Sequence, residues 1–230
     1  MKIGILGTGT VGQTLASKLS SLGHEVMIGT RDVSEKLANQ TRDHYGNAPF
    51  GEWHKQNKQI NLGTFAEAAE FGQMIINATE GLHSIDALQR AKEQNLKFKV
   101  LIDISNPLDF SKGMPPSLYP QFSNTHSLAE EIQETFPDAK VVKTFNTMWA
   151  GLMVNPAMVN NGDHTNFICG NDAEAKEKVK TLLNELGWKN ENTFDLGDIT
   201  SARGTEAFLL LWLRIMGIKQ SAAFNFKIVS

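Results

Sequence analysis

A strict glycine pattern near the N-terminus constrains this chain more than any other feature of its sequence. It lies between a short β-type run, Ile3 to Leu6, and a segment, Thr14 to Leu22, whose apolar residues recur at helical spacing. In a strand–turn–helix unit the first glycine permits a tight turn, the second leaves backbone amides open to a pyrophosphate, and the third lets the helix pack closely on the strand. The helix N-terminus adds unpaired amides and a positive dipole end. The pattern therefore predicts a phosphate cradle for a dinucleotide, made of Gly7, Thr8, Gly9, Thr10, Val11 and Gly12.

The rest of the chain continues this alternation of strands and helices. Gly23 ends the first helix, and Val26 to Ile28 begins a second strand that stops at Gly29. Further strands are predicted at Met74 to Ala78, Val100 to Ile104, Val141 to Phe145 and Asn166 to Cys169. Further helices are predicted at Phe65 to Phe71, Ser84 to Gln94, Leu128 to Thr135, Ala173 to Leu186 and about Arg203 to Met216. Such alternation predicts an α/β fold, a doubly wound, mostly parallel sheet of the Rossmann type with a smaller C-terminal α+β part.

Two polar segments interrupt the pattern and suggest how the chain divides. Residues 41–63 predict a long connection of low regularity, and residues 106–120, with four prolines, predict a loop directly after a strand. The candidate boundary lies near residue 146. We expect a dinucleotide-binding domain over 1–145 and a smaller substrate or dimerisation region over 146–230.

Composition excludes several classes of function. With 41% hydrophobic and 20% charged residues the chain is an ordinary globular protein, and a net charge of -3 offers no basic surface for nucleic acid. No apolar run approaches the roughly 20 residues of a membrane span. Cys169 is the chain's one cysteine, which excludes an internal disulfide and predicts a reducing cytoplasm. Because His44 and His54 are separated by polar residues and Cys169 stands alone, no metal site is predicted.

The end of the second strand indicates which dinucleotide is bound. NAD-specific domains carry an acidic residue about 20 residues after the glycines, where it bonds the ribose hydroxyls. Here the strand runs into Gly29-Thr30-Arg31, and a guanidinium can hold a 2′-phosphate through two hydrogen bonds. Asp32 remains the alternative as a ribose acid. We favour NADP, with an anion pocket formed by Thr30, Arg31, Ser34 and Lys36.

Five segments resemble a known family: GILGTGTVG (4–12), GHEVMIGTRD (23–32), DISNPLD (103–109), CGNDAEAKEKVKTLLNELGW (169–188) and FDLGDITSAR (194–203). Over nearly the whole chain they are similar to the NADP oxidoreductases dependent on the deazaflavin coenzyme F420. The resemblance implies hydride transfer between NADP(H) and a second, flavin-like ring in a homodimer. The chain also resembles the cytosolic reductase domain of the six-transmembrane metalloreductases, whose membrane part has no counterpart in this sequence.

By the family pattern, Thr30 and Arg31 fall on the 2′-phosphate pocket. The resemblance also implies that six residues line the nicotinamide side: Asn77, Ala78, Thr79, Ser105, Asn106 and Pro107. Both segments follow predicted strands, and ligands of open α/β sheets bind beyond the carboxyl ends of the strands. The polar insert over 41–63, with Trp53, departs from the deazaflavin-using enzymes, so the second substrate stays open.

Hydride transfer to a conjugated ring requires orientation more than an acid–base pair, so no catalytic residue is assigned. Candidates for the acceptor pocket are His83, Asn146, Met148 and Trp149, near predicted strand ends, although each residue type also has ordinary structural roles.

Two other functions stay open. In β-hydroxyacid dehydrogenases a helical lysine works with an asparagine four residues later, and Lys180 and Asn184 have this spacing, but Lys180 falls beside the buried face of its helix. A module that senses NADP(H) without turnover is the second. The last helix carries more apolar residues than one buried face needs, which predicts either a subunit contact or burial within the monomer: Phe208, Leu209, Leu211, Trp212 and Leu213.

Overall fold

The structure, a computed structural model, describes residues 1–42 and 46–229. The strands are β1 (Lys2–Leu6), β2 (Glu25–Thr30), β3 (Asn61–Thr64), β4 (Met74–Asn77), β5 (Val100–Asp103), β6 (Leu108–Asp109), β7 (Ser117–Leu118), β8 (Lys140–Thr144), β9 (Asn166–Cys169) and β10 (Thr193–Asp195). The helices are α1 (Thr10–Ser21), α2 (Val33–Ala38), α3 (Phe50–Gln56), α4 (Phe65–Phe71), α5 (Ser84–Ala91), α6 (Leu128–Thr135), α7 (Ala150–Val154), α8 (Ala173–Glu185) and α9 (Ala202–Lys219). Short 3-10 helices lie at Gly81–His83, Glu93–Asn95, Pro120–Phe122, Pro156–Met158, Asn160–Gly162, Asn190–Asn192 and Ile199–Ser201.

Eight of the strands in the described residues form one sheet, in the order β10-β9-β8-β5-β4-β1-β2-β3. From β8 to β3 every neighbouring pair is parallel, whereas β9 runs antiparallel to β8 and β10 runs parallel to β9. Strands β6 and β7 pair separately as a small antiparallel hairpin. The predicted doubly wound, mostly parallel α/β fold is confirmed.

Helices cover both faces of the sheet, which explains why the strands are continuously apolar. Successive strand residues point to opposite faces. Ile3 and Ile5 of β1 belong to one core with residues of α1 and α8, whereas Leu6 belongs to a second core with residues of α4, α5 and α6. The sheet therefore separates two hydrophobic cores.

The parallel strands bring distant parts of the chain to one edge of the sheet. Strands β2, β1, β4, β5 and β8 lie in that spatial order, and all end at the same edge. The chain builds outward from β1 through β2 and β3, then returns to the other side of β1, and ligands of such sheets bind at this reversal. The fold thus lines up residues 7–12, 30–36, 77–83, 105–107 and 145–149.

The prediction of an irregular connection over residues 41–63 is wrong for its second half. That half holds α3 and then β3, which pairs in parallel with β2. Phe50 and Ile60 are buried and anchor the segment to the core. Because β3 is a short strand at the sheet edge with polar residues, it has little apolar periodicity for the sequence to reveal. His44 lies outside the described residues.

The second strand was also predicted too short, since β2 continues through Gly29 to Thr30, and the short α2 that follows was not predicted. In α9 the alternative of burial within the monomer holds for Leu209 and Trp212, whereas Leu211 is exposed. The subunit contact stays a prediction. Residues 221–229 lie along α9, where the ring of Phe224 stacks on Trp212 at 5.1 Å between centroids.

The predicted domain boundary falls directly after β8. Residues beyond it add β9 and β10 to the same sheet. The division of the chain into a dinucleotide domain over 1–145 and a second region over 146–230 stays a prediction. None of the described helices is long and apolar enough to cross a membrane.

Candidate functional site

Two glycines of the phosphate cradle are required by the protein's own packing. Gly7 has a φ of 120°, in the left-handed region, and a Cβ there would lie 2.5 Å from the carbonyl oxygen of Ala78. A Cβ on Gly12 would lie 2.1 Å from the carbonyl oxygen of Gly7. These positions permit the turn and the close packing of α1 against β1, as the sequence predicted.

Gly9 differs, because a Cβ there would meet no protein atom within 4 Å. Its φ of -75° is accessible to any residue, so neither packing nor strain in the protein requires glycine at this point. A ligand that approaches the backbone does require it. The residues of the cradle therefore fit a dinucleotide pyrophosphate.

The N-terminus of α1 completes the cradle. Gly9 caps the helix without a side-chain hydrogen bond, and the first turn contains no acidic residue. The first amides of an α-helix have no partner within the helix, so those of Thr10, Val11 and Gly12 are available to an anion. The side chain of Gln13 donates to the carbonyl of Thr8 at 2.8 Å, which fixes the loop before the helix.

A cleft of about 260 Å³ adjoins the cradle beyond the ends of β1 and β2. We call it the β2 cleft. Its lining brings three of the four residues of the predicted anion pocket together: it consists of Gly7, Thr8, Gly29, Thr30, Arg31, Asp32, Glu35, Lys36, Asn39 and Phe65. Ser34 does not line the cleft.

Two charged residues that line the β2 cleft, Arg31 and Asp32, differ in their hydrogen bonds. Arg31 is exposed and forms no hydrogen bond or ion pair with any described residue. Asp32 caps α2: its Oδ1 accepts from the Glu35 amide at 2.9 Å and from the Ser34 hydroxyl at 2.7 Å. These bonds, the amide foremost, hold the pKa of Asp32 below its usual value. The guanidinium of Arg31 is free for a phosphate, whereas Asp32 and Ser34 serve the helix cap.

Residues 77–83, 105–107 and 145–149, at the ends of β4, β5 and β8, form what we call the polar edge. Asn77, which is buried, donates through Nδ2 to Asp103 at 2.9 Å and accepts through Oδ1 from the Thr79 hydroxyl at 2.6 Å. The amide and the hydroxyl of Ser105 also donate to Asp103, at 3.2 and 2.7 Å. The carboxylate of Asp103 thereby ties the end of β4 to the end of β5.

Burial separates the six residues predicted for the nicotinamide side into two groups. Asn77, Ser105 and Pro107 are buried, so they shape the edge from beneath. Ala78, Thr79 and Asn106 are only half-buried and are available for contact with a ligand.

The acceptor-pocket candidates also differ in their placement. Asn146 and Asn106 exchange hydrogen bonds of 2.9 Å, which join the loops after β8 and β5. Met148 is buried, Trp149 is 37% exposed, and His83 is exposed on the 3-10 turn after β4. The structure thus brings Asn146 and Trp149 to the polar edge, whereas Met148 packs in the core beneath it.

Phe145, directly before Asn146, has a φ of 64°, in the left-handed region. For a bulky residue this conformation costs roughly 1–3 kcal/mol. The side chain is buried, with its ring 6.0 Å from that of Trp188, and this packing holds the strained backbone. The strained residue, Phe145, therefore lies where β8 ends and the loop that contributes to the polar edge begins.

Sequence reasoning missed the buried charges beneath this edge. Lys143 is fully buried, and its Nζ lies 2.7 Å from Asp103 Oδ2 and 2.8 Å from Glu206 Oε1. Burial alone would lower the pKa of Lys143, but the two carboxylates more than compensate and raise it. A signal was present, since Asp103 and Lys143 each follow apolar strand residues, and Glu206 directly precedes the apolar run from Ala207 to Leu213.

Three other candidates take no part in this edge. Lys180 bonds Glu177 at 2.8 Å and Asn184 bonds Asn190, so neither side chain bonds a site residue. Cys169 is buried, and burial raises the pKa of its thiol to about 12, which keeps it neutral.

Among the described residues, one group has ligand atoms within 4.8 Å of one another, as a metal would require, and it lies at α6: His126, Glu131 and Glu134.

The sequence and the fold are similar to those of known proteins. Residues 2–107 match the family model described as NADP oxidoreductase, coenzyme F420-dependent. A crystal structure of a candidate F420-dependent NADP reductase from Arthrobacter sp. FB24 is 52% identical, covers 100% of both chains and superimposes with a TM-score of 0.94.

Two further relatives are more distant. The F420-dependent NADP reductase of Methanocaldococcus jannaschii is 29% identical over 94% of this chain and 93% of its own length. Metalloreductase STEAP3 of Rattus norvegicus is 28% identical over 91% of this chain, which spans 36% of that relative.

Proposed function

This chain belongs to the coenzyme F420-dependent NADP oxidoreductase family. From that premise we propose that it is an NADPH-dependent reductase, which passes a hydride to a flavin-like or deazaflavin ring. The observation that carries the proposal is the order of features along one sheet edge. The β2 cleft, the phosphate cradle and the polar edge follow the strand order β2, β1, β4, β5, β8. An extended dinucleotide has its 2′-phosphate, pyrophosphate and nicotinamide in the same order.

In this proposal the protein binds NADPH by charge at one end and by shape at the other. Arg31 and Lys36, with the hydroxyl of Thr30, hold the 2′-phosphate in the β2 cleft. The amides at the start of α1 hold the pyrophosphate, and Gly9 leaves room for it. The nicotinamide then lies beyond β4 and β5, against Thr79 and Asn106.

When bound, the dihydronicotinamide supplies a hydride, and the acceptor ring takes it up together with a proton from solvent. The residues of this chain orient the two rings and exclude water. We assign the acceptor side to the loop after β8, because Trp149 offers a partly exposed aromatic side chain for stacking. Asn146, which is buried, would support this side by fastening the loop to Asn106. A resident second cofactor of the flavin type would occupy the same place. His83 borders this region from the loop after β4.

The remaining assignments are proposals of the same kind. Residues 1–145 would hold the dinucleotide, and residues 146–230 would complete the acceptor side. The buried free thiol of Cys169 supports a reducing location, the cytoplasm.

We also propose a homodimer. Its support is an apolar groove at the end of α9, where Ile218 is 84% exposed and Met114 of the loop over 106–120 lies opposite. A second copy of the chain would cover this surface. Light scattering of the wild type and of Ile218→Glu tests this: we expect a dimer and a monomer, and a monomeric wild type would refute the dimer alone.

The test of function is oxidation of NADPH, followed at 340 nm, with a panel of acceptors: F420, FMN, FAD and a ferric chelate. We expect turnover with at least one ring acceptor. Trp149→Ala should lower kcat with that acceptor and leave the affinity for NADPH unchanged, whereas Trp53→Ala, a tryptophan in the polar insert, should leave kcat unchanged. Tight NADPH binding without turnover on any acceptor would instead favour a sensing module.

A further inference from the structure

Three fully buried charges lie in a row beneath the polar edge. We call Asp103, Lys143 and Glu206 the buried charge triad. Lys143 lies in the middle, 2.7 Å from a carboxylate oxygen of Asp103 and 2.8 Å from one of Glu206. Each of the three side chains is withdrawn from solvent. They come from β5, β8 and α9.

The hydrogen bonds define the charge of each member. Asp103 receives donors at both oxygens, and so does Glu206, which accepts from the amides of Leu128 and Ala129 at 2.9 and 3.2 Å. Burial raises the pKa of Glu206, but each of its hydrogen-bond partners among the described residues is a donor, so a carboxyl proton would have no acceptor there. With two carboxylates and one ammonium, the triad carries a net charge of about -1.

A purely structural explanation of the triad is weak. Lys143 and Glu206 do fasten α9 and the start of α6 to the sheet. However, buried ion pairs stabilise a fold no better than well-packed apolar side chains of similar volume, because desolvation offsets their attraction. Anchoring two helices needs no charge.

The position of the triad suggests what the charge does. Asp103 is hydrogen-bonded directly to Asn77 and Ser105, which shape the edge where the nicotinamide lies in the proposed function. Charges in a buried environment are poorly screened and act over several ångströms. An oxidised nicotinamide ring carries a positive charge that the reduced ring lacks.

We propose that the buried charge triad is an electrostatic element that favours oxidised over reduced cofactor, and so promotes hydride donation. When the C4–H bond of the reduced ring breaks, its electron pair leaves with the hydrogen to the acceptor, and the ring left behind is cationic. The net negative triad stabilises that cation. The inference rests on the proposed function, because it needs the nicotinamide at the polar edge.

The test compares dissociation constants of NADP⁺ and NADPH, measured by calorimetry without any acceptor. The quantity of interest is the ratio Kd(NADP⁺)/Kd(NADPH). Glu206→Gln removes a negative charge and should raise this ratio about threefold. Lys143→Met removes a positive charge that lies nearer the edge, because its Nζ also donates to the carbonyl of Ser105 at 2.5 Å, and should lower the ratio by a larger factor, about fivefold. Opposite shifts from the two partners of one ion pair are the signature of a charge effect.

A merely structural role predicts another result. Loss of either partner would then loosen the same contact, and the ratio would move in one direction or stay constant while the unfolding temperature falls. Either outcome overturns the inference. As a matched control, Lys180→Met breaks an ion pair between the half-buried Lys180 and the exposed Glu177 on α8, and should leave the ratio unchanged.

Single variants that leave a buried charge unpaired risk misfolding, so two further measurements test the inference without them. The double variant Lys143→Met with Glu206→Gln removes both partners and leaves Asp103 as the remaining charge of the triad, and its ratio should lie below that of the wild type. The wild type itself should bind NADP⁺ at least as tightly as NADPH, and tighter binding of NADPH than of NADP⁺ overturns the inference without any variant. If the wild type binds neither form, the proposed function fails instead.

Discussion

The two ends of the candidate site are built in opposite ways. The phosphate cradle and β2 cleft are open, rely on backbone amides and exposed cations, and are formed by neighbouring stretches of chain. The polar edge rests on buried side chains, which are joined in a series of contacts from Asn77 through Asp103 and Lys143 to Glu206. One end is prepared for a ligand by leaving groups unpaired, and the other by pairing nearly every group. We therefore expect variants at the first end to alter the affinity for NADPH. Variants at the second end should alter the placement of the nicotinamide ring and the preference for its charged or neutral form.

The largest effect should follow from filling the tightest contact of the cradle. Gly12→Ala places a Cβ 2.1 Å from the carbonyl of Gly7, and we expect a loss of about 3 kcal/mol of unfolding free energy because α1 must move off β1. Urea denaturation measures it. Gly204→Ala is the control: this glycine lies in α9 with no atom within 4 Å of the added Cβ, and the change should be neutral or stabilising. Equal destabilisation by both would mean that close packing does not explain Gly12.

The next effect concerns discrimination between cofactors. Arg31→Ala should weaken NADPH by about 2 kcal/mol, roughly 30-fold, because a charge-assisted contact to the 2′-phosphate is lost. NADH, which has no such phosphate, should bind as before. Lys178→Ala, which removes an exposed cation on α8, serves as the matched control. If NADPH and NADH weaken equally, Arg31 does not hold the phosphate.

A smaller change separates ligand binding from packing within the same loop. Gly9→Ala should weaken NADPH at least tenfold, about 1.4 kcal/mol, since the methyl group occupies the approach to the amides. Stability should fall by less than about 1 kcal/mol, which reflects alanine as a poorer N-cap. Comparison of thermal unfolding with calorimetric affinity checks both parts. Unchanged NADPH affinity in this variant would show that the pyrophosphate does not bind at this loop.

The smallest effect is expected from the cap of α2. The pKa of Asp32 lies below its usual value of 3.8, mainly because the Glu35 amide donates to the carboxylate. A lowered pKa in the folded state means that the cap contributes stability above that usual value and loses it as the pH falls through the folded pKa. We expect Asp32→Ala to lower the unfolding midpoint slightly at pH 7, and the difference from the wild type to shrink as the pH falls below 3.8. A difference that grows toward low pH would reverse this assignment.

What could be inferred without the structure follows from local geometry. The cradle, β1, α1 and the run into Thr30 and Arg31 are contiguous, and glycine spacing and apolar periodicity report directly on a turn, a strand and a helix. The doubly wound class followed in the same way from repeated strand–helix units. Ser34 shows the limit of this reasoning. It is close in sequence to the residues that line the cleft, but its hydroxyl donates to Asp32 instead of lining the cleft.

Tertiary structure alone decided which distant residues meet. The strand β3 carries too few apolar residues to be recognised and exists because β2 offers it an unpaired edge. The order of strands β8, β5 and β4 brings Lys143 beside Asp103, and the packing of α9 adds Glu206. Periodicity and spacing describe neighbours along the chain, whereas a buried charge is tolerated only where partners from other segments surround it. The sequence by itself therefore determined the glycine turn and the helix start that form the cradle, and only the fold decided which charges lie beneath the polar edge.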